Sequence, residues 1–304
     1  MGCLVLGSFK VAPAESQYEV RRVVEAAKIH RSLVSGIPNS NILIAIGRTI
    51  YLTRFWVATI NKASSNFLKH MLNLKHITYL TFDCYGTLID WENGILQALQ
   101  PLLQAHRAQV SPEDLLRLYV SHEAVYESKS WRPYRQILRE ISAAIGAELG
   151  ITFSQTETDM LPGSISKWPP FSDTVPALRR LQQHFPLVIL SNIDDALFAE
   201  TQKHLQITFA NIITAEQLRS YKPAPAHFHE ALRRLKVEPS QILHVAQSLY
   251  HDHVPARDLG ISTAWINRPS RLPGVGLAPA ASVQPDITVP DLAALADILD
   301  RSRH

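Results

Sequence analysis

Cysteine is nearly absent from this sequence, which carries only Cys3 and Cys84. Two isolated thiols make neither a disulfide framework nor a zinc-ligand spacing, so a reducing, cytoplasmic setting is expected. Long uncharged apolar runs are missing too. The most apolar window, NILIAIGRTIYLTRFWVATI (41–60), is interrupted by Arg48 and Arg54, and so falls short of the ~18 residues a membrane span needs. The opening MGCLVLGS has Leu6 where a myristoylation signal needs Ser or Thr, and it lacks the basic start of a secretory signal. Acidic residues are scarce at one end only. Residues 1–75 hold ten Lys and Arg against three Asp and Glu, whereas the rest holds 20 against 24. That mildly acidic body offers no basic nucleic-acid surface. Neither a membrane nor a nucleic acid is expected as a partner.

What is present is a chain of 304 residues, 46% hydrophobic, enough for a sizeable core and for more than one compact unit. Residues 1–75 form a basic N-terminal extension. SQYEVRRVVEAAKIHRSLV (16–34) has helical spacing, followed by basic, apolar sequence without strand alternation. Three readings stay open: a targeting extension, a pair of interaction helices, or sequence upstream of a start at Met71. From Ile77 the pattern becomes regular. ITYLTFD (77–83), PLVILSN (186–192), ANIITA (210–215), QILHVAQ (241–247) and STAWINR (262–268) read as short strands. Helical patterns separate the later ones: DTVPALRRLQQHF (173–185), DALFAETQKHL (195–205), PAHFHEALRRL (225–235) and HVPARDLG (253–260). VPDLAALADILDR (289–301) closes the chain as an amphipathic helix. This alternation predicts an α/β fold, a Rossmann-like parallel sheet with helices on both faces. The roughly eighty residues after the first strand have helical patterning only, clearest in 115–150, and a structureless loop of that length is implausible. Residues 91–170 are therefore read as an inserted helical cap ending near SKWPPFSD, with the core made of 76–90 and 171–304.

Ligands of parallel α/β sheets bind beyond the carboxyl ends of the strands. There the sequence places Asp83 and Thr87, then Ser191 and Asn192, then Lys222 within SYKPAP, then Gln247 and Ser248 with Asp252 close behind. Each alone has a plainer explanation. Asp83 could end a strand, Ser191 and Asn192 could form a turn, Lys222 could be a solvated lysine, and Asp252 could cap the next helix. Cys84 beside Asp83 points the other way along an extended chain and reads as packing. The pair His251 and His253, at i,i+2, does not share a helix face and is not read as a metal site. Trp91 and Trp131 read as cap or hinge packing.

Taken in order, FDCYGTLID, ILSN, YKPAP and HVAQSLYHD resemble the four motifs of the haloacid dehalogenase superfamily, over residues 77–268 and including the place of the cap. The DxYGT form of the first motif, and WINR after the last strand, are more similar to the type II L-2-haloacid dehalogenases than to the superfamily's phosphatases. The resemblance implies a nucleophilic Asp83, with Thr87, Ser191 and Asn192 holding the substrate or the reacting centre. It implies that Lys222 steadies the nucleophile's charge and that Asp252 fixes the lysine or the hydrolytic water. Phosphatases of the superfamily carry an acid two residues after the nucleophile, to protonate a departing alkoxide. Tyr85, with a reference pKa of about 10, is a poor acid for that purpose, but a halide leaves without a proton. Their fourth motif also begins with a carboxylate suited to magnesium, where Gln247 offers only an amide. The expected reaction is therefore hydrolysis of a small 2-haloacid to a 2-hydroxy acid through an aspartyl ester. It uses no cofactor and no metal; magnesium would enter only for a phosphatase acting on a small phosphorylated metabolite. A protein of this fold that binds a small acid or a partner without catalysis is the remaining alternative. The family uses a cap arginine on its substrate. The matching stretch here is Leu118–Val120, with Arg117 the nearest candidate and Arg132 and Arg135 others. Phe228 stands where the family has a substrate tyrosine. Ser248, Gln247 and Tyr85 complete the expected pocket, and since caps of the family often mediate dimers, a homodimer is a further expectation.

Overall fold

The computed structural model describes residues 74–271 and 283–303. The basic extension up to residue 73, the window 41–60 and Met71 lie outside them. The core is one six-stranded sheet in the order β3-β2-β1-β4-β5-β6, with every pairing parallel. Its strands are β1 (Tyr79–Phe82), β2 (Leu187–Ser191), β3 (Asn211–Thr214), β4 (Ile242–Ala246), β5 (Ser262–Ile266) and β6 (Ile287–Val289). The first five lie where the apolar runs predict them. The sixth corrects the sequence reading, which gave Val289 to the closing helix. Three β-branched residues are too short a run to separate from a helix start, yet Ile287 pairs with Ala264 and Val289 with Ile266.

Alternation along the strands builds two cores. Leu80 and Phe82 of β1, Leu187 and Ile189 of β2, and Leu243 and Val245 of β4 face one core. There they meet α6 (Thr174–Leu181), α7 (Asp195–Leu205) and α11 (Leu292–Arg303), which supply Leu178, Leu197 and Leu295. Val188 and Leu190 of β2 and Ile242 of β4 face the other, against α9 (Ala226–Leu235) and α10 (Val254–Asp258). A short α8 (Ala215–Leu218) follows β3. Both sheet faces are thus covered, as near-continuous apolar strands require.

Between β1 and α6 the α-helices are α1 (Trp91–Ala105), α2 (Pro112–Glu127), α3 (Tyr134–Glu148) and the short α4 (Gln155–Thr158) and α5 (Met160–Ser164), with no strand among the described residues there. Local chemistry starts the first two long helices. Asp90 caps α1 through the Asn93 amide at 3.1 Å, and Ser111 caps α2 through the Asp114 amide at 3.1 Å, with Pro112 in the first turn. The two chain crossings that carry this cap touch. Ile89 and Pro170 form an antiparallel bridge, and the Phe171 amide donates to the Leu88 carbonyl at 3.1 Å.

Trp168 packs at that crossing, directly on Gly94 of α1. A methyl group at Gly94 would sit 2.3 Å from the Trp168 Cγ. Gly94→Ala should therefore destabilise the fold by about 1–3 kcal/mol, although alanine gains roughly 1 kcal/mol in a helix interior. Urea unfolding checks this; a stabilised variant would show that Trp168 does not hold α1.

Candidate active site

The strand order reverses direction between β1 and β4, the switch point where open α/β sheets bind their ligands. Asp83 is the first residue beyond β1, and the chain turns at once. Gly86 takes φ +92°, a left-handed conformation that side chains disfavour, and the space a Cβ would need is closed by Trp91 and Gln247. The turn returns Thr87 to Asp83. Its hydroxyl donates to Asp83 Oδ2 at 2.7 Å and accepts from the Gln247 amide at 3.0 Å, tying the turn to the end of β4.

Lys222 reaches the same carboxylate from the loop after α8. Its ammonium donates to Asp83 Oδ1 at 2.8 Å, to Asp252 Oδ1 at 2.7 Å and to the Leu190 carbonyl at 2.9 Å. Asn192 holds the lysine's backbone from both sides: its Oδ1 accepts from the Lys222 amide at 2.7 Å and its Nδ2 donates to the Lys222 carbonyl at 3.1 Å. Ser191 is fully buried at the end of β2, and its hydroxyl has no partner among the described residues.

Asp252 lies within a tight helical turn, residues 249–253, and does not cap α10. It is gripped from behind by His244, whose Nε2 lies 2.9 Å from Asp252 Oδ1 while its Nδ1 lies 2.8 Å from the Thr81 hydroxyl. A carboxylate only accepts, so Nε2 carries a proton and donates to Asp252. Sequence reading missed His244 because one polar residue inside QILHVAQ does not disturb a strand pattern.

Burial sets the charges here. It would raise the carboxyl of Asp252, but Lys222 and His244 hold that group well below the usual carboxylate range. Burial would also lower the Lys222 ammonium, yet the two carboxylates reverse this and keep it charged. Asp83 comes out raised. Desolvation dominates and Asp252 repels it, against the attraction of Lys222 and the hydroxyl of Thr87.

The structure thus brings together Asp83, Thr87, Lys222, Asp252, Asn192 and the backbone of Gln247. The remaining expected residues lie elsewhere. The Tyr85 hydroxyl meets the Thr201 hydroxyl of α7 at 2.8 Å, and its ring stands edge-on to Trp168. The Gln247 side chain borders a cavity of about 300 Å³ together with Trp91, Phe171 and Arg268. Ser248 caps the turn that follows it, through the His251 amide at 3.1 Å. Phe228 corrects the expectation of a substrate contact: it is fully buried in the core behind the sheet, edge-on to His244 at 4.9 Å. Arg117 is a second correction. Leu115, Leu116 and Tyr119 form the buried side of α2, which leaves Arg117 exposed. Arg132 pairs with Glu140 at 2.9 Å, and Arg135 is exposed.

The cap turns acids towards this rim. Glu123 and Glu127 are one turn apart on α2. Glu123 receives the Tyr119 hydroxyl at 3.0 Å and the Tyr134 hydroxyl, and the two phenols themselves lie 2.8 Å apart. Burial raises the Glu123 carboxyl, against the pull of the two phenols. Glu127 Oε2 accepts from Asn192 Nδ2 at 3.4 Å. Burial, with Glu123 adding to it, pushes the Glu127 carboxyl well up, and Lys222 offsets only part of this. From the core, Asp194, just past β2, accepts from the Tyr134 and Arg135 amides at 2.7 and 2.8 Å and so caps α3 from outside. Arg268 braces the turn from Asp83 to Thr87, donating to the Thr87 carbonyl at 3.0 Å while paired with Asp173 at 2.9 Å.

A family model described as haloacid dehalogenase-like hydrolase matches residues 77–250. The phosphoglycolate phosphatase of Chromobacterium violaceum is 26% identical over 234 residues, 75% of this chain and 99% of its own. The (S)-2-haloacid dehalogenase 4A of Burkholderia cepacia is 24% identical over 206 residues, 65% of this chain and 86% of its own. Among solved structures, the L-2-haloacid dehalogenase of Xanthobacter autotrophicus superposes with a TM-score of 0.62 at 20% identity, covering 74% of this chain and 98% of that one. That likeness is one of fold.

Proposed function

Because the chain belongs to the haloacid dehalogenase-like hydrolases, we propose that it uses Asp83 as a nucleophile to hydrolyse the carbon–halogen bond of a small 2-haloacid. An Asp83 oxygen attacks the halogen-bearing carbon, the halide leaves with the bonding pair, and an aspartyl ester forms. Water then attacks the ester carbonyl. Asp83 is released as carboxylate, the product is a 2-hydroxy acid, and one proton passes to solvent. Lys222 and Thr87 hold the carboxylate in place, and Asp252, steadied by His244, fixes the lysine.

The observation that carries this reading is the engagement of Tyr85. Its hydroxyl is bound to Thr201, and burial pushes its pKa well up, so it is no proton donor for an alkoxide. A halide needs none. The donor set also fits magnesium poorly. Asp252 Oδ1 already takes both Lys222 and His244, and Gln247 brings an amide where a hard divalent cation favours carboxylate. A phosphatase acting on a small phosphorylated metabolite is the second reading, favoured by the Chromobacterium violaceum relative, which matches over nearly its whole length.

Halide release from the two enantiomers of 2-chloropropionate, measured with a chelator present, tests the proposal. The expected result is release from the L enantiomer, unchanged by the chelator. Because the Asp83 pKa is raised by burial, the carboxylate is lost as pH falls through a value above that of an ordinary aspartate. The acid limb of kcat/KM should lie correspondingly high. Turnover of phosphate esters that requires magnesium, with no halide release, would replace this reading with the phosphatase.

A further inference from the structure

His244 is a polar residue in a layer that is otherwise apolar. It stands in β4 on the side of Ile242, where Val188, Leu190 and Ile213 also pack, and its ring meets Phe228 edge-on at 4.9 Å. It is fully buried, and a buried imidazole is costly unless its nitrogens find partners. Both do. Nε2 donates to Asp252 Oδ1 at 2.9 Å, and Nδ1 lies 2.8 Å from the Thr81 hydroxyl. Thr81 is itself fully buried and stands opposite His244 in the register of β1 against β4. These contacts close a circuit. From Asp83 it runs through the Lys222 ammonium to Asp252, on to His244, and back to Thr81, two residues before Asp83 in the chain. Lys222 and His244 share one oxygen of Asp252. The direction of that carboxylate is therefore fixed by the imidazole and passed on to the ammonium.

We propose that His244 is a positioning residue: acting through Asp252, it sets where the Lys222 ammonium meets Asp83, and Thr81 sets the angle of its ring. This deepens the hydrolase reading and rests on it, adding a group that touches neither substrate nor reacting atom. A lysine stem is flexible, so its head goes where its acceptors stand. Without His244, Asp252 is free to turn about its side-chain bonds and to draw the ammonium off Asp83 Oδ1. Because His244 is sealed in the core, its loss should act on the rate of the chemical step and not on substrate binding.

The experiment compares His244→Gln, His244→Asn and His244→Phe in the full-length protein. Steady-state halide release from L-2-chloropropionate is read per folded molecule, and the variants are crystallised. Glutamine presents an amide donor near the place of Nε2, asparagine reaches only the place of Nδ1, and phenylalanine fills the space with no donor. A hydrogen bond to a charged group contributes roughly ten- to a hundredfold. kcat is expected to fall by that factor in His244→Phe and His244→Asn, with KM changed by less than about twofold, and to be largely restored in His244→Gln. In the crystals Lys222 should leave hydrogen-bond reach of Asp83 in His244→Phe and keep it in His244→Gln. If His244→Phe does not fold, the asparagine and glutamine variants carry the same comparison. An unchanged kcat in the folded variants, a loss that glutamine restores no better than asparagine, or a Lys222 that stays on Asp83 without the donor overturns the inference and leaves Asp83-dependent halide release standing. If no protein, the wild type included, releases halide while Lys222 leaves Asp83 only where the donor is gone, the positioning role holds and the dehalogenase reading falls.

Discussion

Asp83→Asn should lose halide release by roughly a thousandfold or more and keep its fold. The amide retains the shape of the side chain and an oxygen for Lys222, but it has no carboxylate to attack carbon. The folded state loses one member of a crowded group, since Asp83 is raised by burial and by Asp252. Removing that charge should move the thermal midpoint by only a few degrees. A single-turnover reaction in heavy-oxygen water sharpens the test. If the ester forms and water attacks its carbonyl, the label enters Asp83 and the product hydroxyl keeps an oxygen from the protein. Label found directly in the product would mean that water attacks the substrate and that Asp83 is a base. Turnover that survives Asp83→Asn would remove it from the chemistry altogether.

Lys222→Ala should have the largest effect on stability. Its ammonium is buried, as is Asp252, and Asp83 is nearly so. Removing it strands two carboxylates and leaves the Leu190 carbonyl without its donor. Breaking a buried pair in this way costs about 3–5 kcal/mol. The pH dependence should change at the same time. In the wild type the Asp252 carboxyl is depressed by Lys222. Its contribution is therefore present above the unfolded pKa and lost as pH falls through the folded one. In the variant both carboxyls are raised by desolvation, so the folded state binds protons the unfolded state has released, and stability recovers as pH falls. Urea unfolding at about pH 5 and about pH 8, both above the unfolded pKa where the wild-type Asp252 contribution is complete, reads the variant's recovery at the lower pH. A loss below about 1 kcal/mol, with the wild-type slope retained, would show that Lys222 does not neutralise this pair.

The sheet and its carboxyl edge were legible because their signals are local. Each of the first five strands is an apolar run that ends in a polar residue at the carboxyl edge, and Asp83, Asn192, Lys222 and Asp252 follow from where those runs stop. β6 was not legible, since Ile287–Val289 is as short as the start of a helix. The cap's contribution was hidden for another reason. Glu123 and Glu127 look like the solvated side of an amphipathic helix, and nothing along α2 shows that this side meets Asn192. Asp194 reads as a turn residue after β2, yet its carboxylate caps a helix that begins sixty residues earlier in the chain. Phe228 and Arg117 erred in the same way. Both were carried from motif spacing, and packing of α9 against His244 and of α2 on Tyr119 turned them elsewhere.

Neither neighbour of β1 is local. Leu80 pairs with Leu187 on one side and with Leu243 on the other, so the strand that delivers Asp83 has no partner until the chain beyond the cap has been made and brought back. The cap is the loop that must be closed for the first of these pairings, and its helices, with α2 against α3, can form from contacts near in sequence. During synthesis, Lys222 and Asp252 emerge long after Asp83. Asp83 therefore acquires its charge partner only when the sheet is assembled on both sides, and the candidate site is completed as one of the last events of folding.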